Sequence, residues 1–131
     1  MAAVGDVLVH CATDERLTVL AHTATELVLE DVWPPGHVVP AHCHPKLAEE
    51  WRVLVGTVAI VVAGVEHILR EGETARAGAN IVHGARNLGG TPAHVRMVLS
   101  PPGQWLEVVE RLFRGEDIGA LLRTYPDELA A

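Results

Sequence analysis

The chain has 131 residues, with 17 acidic side chains against 10 basic ones, and 49% of its residues are apolar. This length fits one domain with a real core, and only 21% charged residues exclude a disordered chain. A formal charge of −7, with a single Lys (Lys46) and scattered Arg, leaves no basic patch and so excludes nucleic acid and anionic membrane surfaces as partners.

Residues 1–12 lack a basic n-region, and Asp6 interrupts their apolar character, so no targeting segment is expected. Arg16–Leu20 and Glu26–Glu30 are β-prone runs, and Pro34-Pro35-Gly36 then marks a turn. The stretch His37-Val38-Val39, Pro40 and His42-Cys43-His44 follows. Glu50–Val55 and Thr57–Ala63 read as two strands hinged at Gly56, and Val65–Leu69 comes after Gly64. The charge-free apolar run Val53–Val65 holds two glycines and is too short to span a bilayer. Shorter runs lie at Asn80–His83 and His94–Ser100, closed by Pro101-Pro102-Gly103. Nothing before residue 104 has helical length or period. Parallel βαβ folds are thereby excluded, and an all-β antiparallel sandwich or small barrel over about residues 16–103 is expected.

From residue 104 to 131 the period changes. Leu106, Val109, Leu112 and Phe113, then Ile118, Leu121, Leu122 and Tyr125, recur at helical spacing before Pro126. They predict two short C-terminal helices packed on the outside of the sheet, all within a single domain 1–131. Two cysteines, Cys11 and Cys43, fit a reduced pair in the cytoplasm better than a disulfide framework.

Eight His are the anomaly of the composition. His42 and His44 are two apart, so a strand presents both imidazoles on one face, while Cys43 points the other way as a small buried hydrophobe. Glu49 follows a short turn at Pro45-Lys46 and can fold back toward the same point. A second stretch runs Gly72, Gly78, Asn80, His83, Asn87. Three imidazoles and a carboxylate converging inside a barrel suit one divalent first-row transition metal: Fe, Mn, Ni, Co, Cu or Zn alike. His10 and His22 read as solvated or strand-edge residues, and His37, out of phase with His42, is expected to face away.

These two stretches resemble the two sequence motifs of the cupin superfamily. The first matches throughout, from Gly36 through His42, His44 and Glu49 to Gly56. The second keeps Gly72, His83 and Asn87 but has Gly78 where Pro is usual and Asn80 where Gly is usual, and Asn tolerates the left-handed conformation. The resemblance implies an antiparallel double-sheet jelly-roll barrel. It places the metal ligands on His42, His44, Glu49 and His83, and Glu50 is the less favoured competitor for Glu49. Strand alternation nominates Val38, Pro40, Trp51 and Val53 as substrate-pocket residues, and leaves open whether Arg96 faces the pocket with Val98 or Met97 does with Leu99.

The resemblance is nearest to small quercetinase-like and polyketide-tailoring cupins. It implies a metal-dependent dioxygenase acting on a small aromatic or polyketide-like molecule, with Glu49 doubling as proton acceptor. A non-redox cyclase or isomerase using the metal as a Lewis acid is the alternative, and a non-catalytic small-molecule binder the third reading. The apolar content of so short a chain, together with the habit of similar cupins, predicts a homodimer.

Overall fold

A computed structural model describes residues 1–131. Ten strands form two antiparallel sheets. They are β1 (Val7–Val9), β2 (Arg16–His22), β3 (Leu27–Trp33), β4 (Val38–His42), β5 (Ala48–Val55), β6 (Val58–Val62), β7 (Val65–Leu69), β8 (Thr74–Ala77), β9 (His83–Asn87) and β10 (Ala93–Ser100). The larger sheet runs β1-β2-β3-β10-β5-β8 and the smaller β4-β9-β6-β7. Two helices follow, α1 (Trp105–Phe113) and α2 (Ile118–Thr124). This is the double-sheet jelly roll with a helical tail that the sequence predicts.

Alternation drives the larger sheet. In β3, Leu27, Leu29, Asp31 and Trp33 are all buried, and in β10 Ala93, Val95, Met97 and Leu99 are. Because β10 lies between β3 and β5, its inward row packs beside Leu29 and Asp31 on one side and Trp51 and Val53 on the other. Twenty buried residues drawn from both sheets and α1 make one continuous core.

The structure departs from expectation at three places. β1 and β8 are strands that the pattern did not predict, one three and the other four residues long, each at an edge of the larger sheet. Such short edge strands carry little period-2 signal. The run expected at Asn80–His83 is instead a turn leading into β9, with Asn80 in the left-handed region at φ 62°. Finally, α1 does more than cover the outside. Its Leu106, Val109 and Phe113 belong to the main core, while Val108 joins Leu121 and Tyr125 of the α2 region in a second small cluster.

At Gly84 a side chain has no room. A Cβ there would stand 3.0 Å from the Val39 carbonyl oxygen, so β9 lies tight against β4 beside His83.

Candidate metal centre

His42 ends β4, His44 follows it, and His83 opens β9, directly opposite His42 in the sheet register. The ligating atoms of the three rings lie within 4.8 Å of one another, close enough for one metal ion. His44 and His83 are almost fully buried and His42 is half-buried.

Each ring is held by a backbone carbonyl. His42 Nδ1 donates to Pro40 O at 2.8 Å, His44 Nδ1 to Glu128 O at 2.9 Å and His83 Nδ1 to Ile81 O at 3.0 Å. A carbonyl oxygen only accepts, so all three protons sit on Nδ1 and all three Nε2 atoms turn toward the centre, where His44 Nε2 meets Glu49 Oε1. Burial pushes the His42 imidazole below its ordinary range and the His83 imidazole down to about 4, which keeps them neutral. His83 Nε2 is buried with no hydrogen-bond partner. A neutral, orphaned nitrogen beside two others of the same tautomer is the donor set that a divalent transition metal takes.

Glu49 on β5 is buried and lies beside this triplet, with Oε1 3.1 Å from His44 Nε2 and 3.8 Å from His83 Nε2. Glu50 faces solvent. Around the centre, Trp51 packs edge-on to His83 and Trp105 to His44. Asn80 donates its backbone N–H to His44 O, and Cys43 is buried with its thiol toward Asn80 Oδ1. Asn87 gives its amide to the carbonyls of Trp33, Pro34 and Thr91, fixing the loop before β4.

The centre opens into a cavity of about 770 Å³. Trp51 borders it, and so do Val38 and Pro40, which stand exposed at its rim. An irregularity between Val39 and His42 breaks the alternation of β4, so that Val39 is the residue packed against the core. Two nominated residues lie elsewhere. Val53 shares the face of Glu49 but is fully buried in the core beyond the cavity. Arg96 points outward and pairs with Glu30 at 3.5 Å, while its neighbour Met97 faces the cavity. With Arg96 outside, no Lys or Arg borders the cavity at all.

His37 and His10 also differ from expectation. His37 turns inward, stacks on Trp33 and approaches Glu15 at 3.8 Å, and His10 packs on Phe113. Both border the cavity, as do Glu15 and Asp31, which the sequence reading passed over. The irregularity between Val39 and His42 shifts the phase of β4, which is why alternation counted back from His42 misplaces His37. A signal for Asp31 was present: it occupies an inward position of β3 between Leu29 and Trp33.

Residues 29–100 match the family model described as Cupin domain. Among solved structures, the chain is similar to KdgF from Halomonas sp., with 22% identity and a TM-score of 0.67 over 70% of this chain and 83% of that one. A cupin from Shewanella frigidimarina described as RmlC-like aligns with a TM-score of 0.69 at 17% identity, over 78% of this chain and 88% of that one. An uncharacterized conserved protein with a double-stranded β-helix domain from Klebsiella pneumoniae subsp. pneumoniae shares 25% identity at a TM-score of 0.64, covering 79% of this chain and 90% of that one. No curated protein matches the sequence.

Proposed function

This chain belongs to the cupin family, and from that premise we propose that it is a metal-dependent enzyme, a dioxygenase of a small, largely apolar aromatic molecule bound in the barrel cavity. The observation that carries this reading is the convergence of three imidazoles and the Glu49 carboxylate at one end of a cavity whose lining is mostly apolar. His42, His44, His83 and Glu49 would hold the ion. When bound, a divalent first-row metal supplies charge stabilisation and, if redox-active, electron transfer with dioxygen.

The residues of the chain do the rest. Trp51, Leu29 and Met97 offer a flat apolar surface that orients a ring and excludes water. Glu49, buried and next to the centre, is placed to accept the proton of a substrate hydroxyl. With no cationic side chain in the wall, a substrate carrying several negative charges has no partner besides the metal, which favours neutral or singly charged molecules. The buried carboxylate equally supports a second reading, a non-redox cyclase or isomerase in which Glu49 moves a proton on an enol or carbonyl substrate.

Oxygen uptake tests the choice. Protein loaded in turn with Fe, Mn, Ni, Cu and Zn is given a panel of flavonols and hydroxynaphthalenes. A dioxygenase consumes oxygen in step with substrate, only with redox-active metals, and stops on His83→Ala. Product formed under anaerobic conditions with Zn would replace that reading with the cyclase or isomerase.

A further inference from the structure

Three buried side-chain polar atoms lack a hydrogen-bond partner: His83 Nε2, Asp31 Oδ1 and His37 Nε2. All three residues border the cavity. The first belongs to the metal centre, and the other two belong to a separate cluster made by Glu15, Asp31, Trp33 and His37.

The sheet register separates the two places. Leu99 of β10 pairs with Glu49, and Val95 pairs with Asp31, so the two carboxyl residues flank β10 on opposite sides and are offset along it by four residues, roughly 13 Å. Between them Met97 pairs with both Trp51 and Leu29, and all three of these side chains border the cavity. The cavity therefore has an apolar floor with a polar group at each end.

The chemistry of the far end is that of a neutral hydrogen-bonding site. Asp31 is 3% exposed, and its Oδ2 accepts from Trp33 Nε1 at 2.9 Å, which leaves Oδ1 as the free atom. Burial, and then the hydrogen bond and charge of the adjoining Glu15 carboxyl, hold the Asp31 carboxyl well above the usual carboxylate range, toward its neutral form. Burial likewise pushes His37 down, toward the neutral imidazole. His10 is the remaining titratable group near the cluster, and no Lys or Arg borders the cavity. An anionic ligand group finds nothing here to neutralise it, whereas a hydroxyl, both donor and acceptor, can satisfy the free carboxyl oxygen and the free imidazole nitrogen together.

We propose that Asp31, Glu15 and His37 form a second, metal-independent binding pole that takes an uncharged hydroxyl at the far end of an elongated, apolar substrate. This rests on the reading of the cavity as the substrate site, and it narrows that substrate to a flat molecule with polar groups at opposite ends.

The test uses the full-length zinc-loaded chain and two probes, 2-naphthol and 2-methylnaphthalene, each too short to reach both poles. Binding is read from the indole N–H signals in NMR titrations; Trp33, Trp51 and Trp105 are the three tryptophans of the chain and all border the cavity. The naphthol is expected to bind about three- to tenfold tighter than its methyl counterpart, the worth of one net hydrogen bond, both before and after chelation of the zinc. Asp31→Leu should abolish that preference and Asp31→Asn should keep it, because an amide preserves a neutral acceptor and donor. Should Asp31→Leu fail to fold, His37→Phe retains the ring on Trp33 but removes the free nitrogen, and it should weaken the preference. Equal binding of the two probes, a preference untouched by both variants, its disappearance on chelation, or loss with Asp31→Asn as complete as with Asp31→Leu would each overturn the proposal. Failure of the metal reading shows separately, as zinc that does not bind or does not depend on His83.

Discussion

The three imidazoles of the centre are fixed in one tautomer by Pro40 O, Glu128 O and Ile81 O, so the donors face one point before any ion arrives. Imidazoles of ordinary pKa would take up protons, and release metal, below about pH 6. Here burial holds His83 down to about 4, so proton competition at that ligand begins well below its ordinary 6.5. The sign for stability follows. Between 6.5 and about 4 the unfolded chain binds a proton at His83 that the folded chain does not, so the metal-free protein loses stability as pH falls through that window. The loss from this one group is on the order of 3 kcal/mol. Denaturant titrations from pH 7 to 4 should show this slope, and His83→Gln should flatten it; an unchanged slope would mean that other groups dominate. At this scale the ligand candidates were legible, because the resemblance of the Gly36–Gly56 and Gly72–Asn87 stretches to the two cupin motifs puts them at His42, His44, Glu49 and His83. The Glu15–Asp31–His37 cluster was not, because it joins the start of β2, β3 and the turn before β4, whose proximity exists only in the folded sheet.

Among the elements, the C-terminal tail departs furthest from what its sequence suggests. Periodicity shows two helices, but it cannot show that the residues after them return to the barrel. Ala130 and Cys43 exchange both backbone hydrogen bonds at 2.9 Å, and Glu128 O receives the Nδ1 proton of His44. The tail thus secures the segment between His42 and His44 from outside. Removing residues 128–131 should leave the β-sheet circular dichroism intact while weakening zinc affinity about tenfold, the usual worth of an outer partner of a metal ligand. Unchanged affinity would show that His44 is held without it. The same logic applies where β4 meets β9. Gly84→Ala puts a methyl against the Val39 carbonyl, and the strands must part beside His83. A destabilisation of about 1–3 kcal/mol is expected from thermal or denaturant unfolding. Strand alternation made most of the barrel legible. It failed at the β4 irregularity and at β1 and β8, where the elements are too short or too bent to display a period.

For the whole molecule, the barrel supplies a cavity whose imidazole end, apolar floor and polar far end come from both sheets and the tail. No helix is long and apolar enough to cross a membrane. Apolar side chains remain on the outside, among them Val7 and Val9 on the open edge strand β1 and Val65 and Ile68 on β7. We propose that some of this surface is covered in a homodimer. Light scattering at micromolar concentration should give twice the chain mass, and a monomer there would contradict it. The central claim concerns the metal centre, and metal stoichiometry of the purified variants tests it most directly. His22, exposed on β2, is the control. The native chain and His22→Ala should each retain about one divalent ion, while His42→Ala, His44→Ala and His83→Ala, folded by circular dichroism, should lose most of it. Full occupancy in folded His83→Ala, or loss of the ion in His22→Ala, would contradict the account.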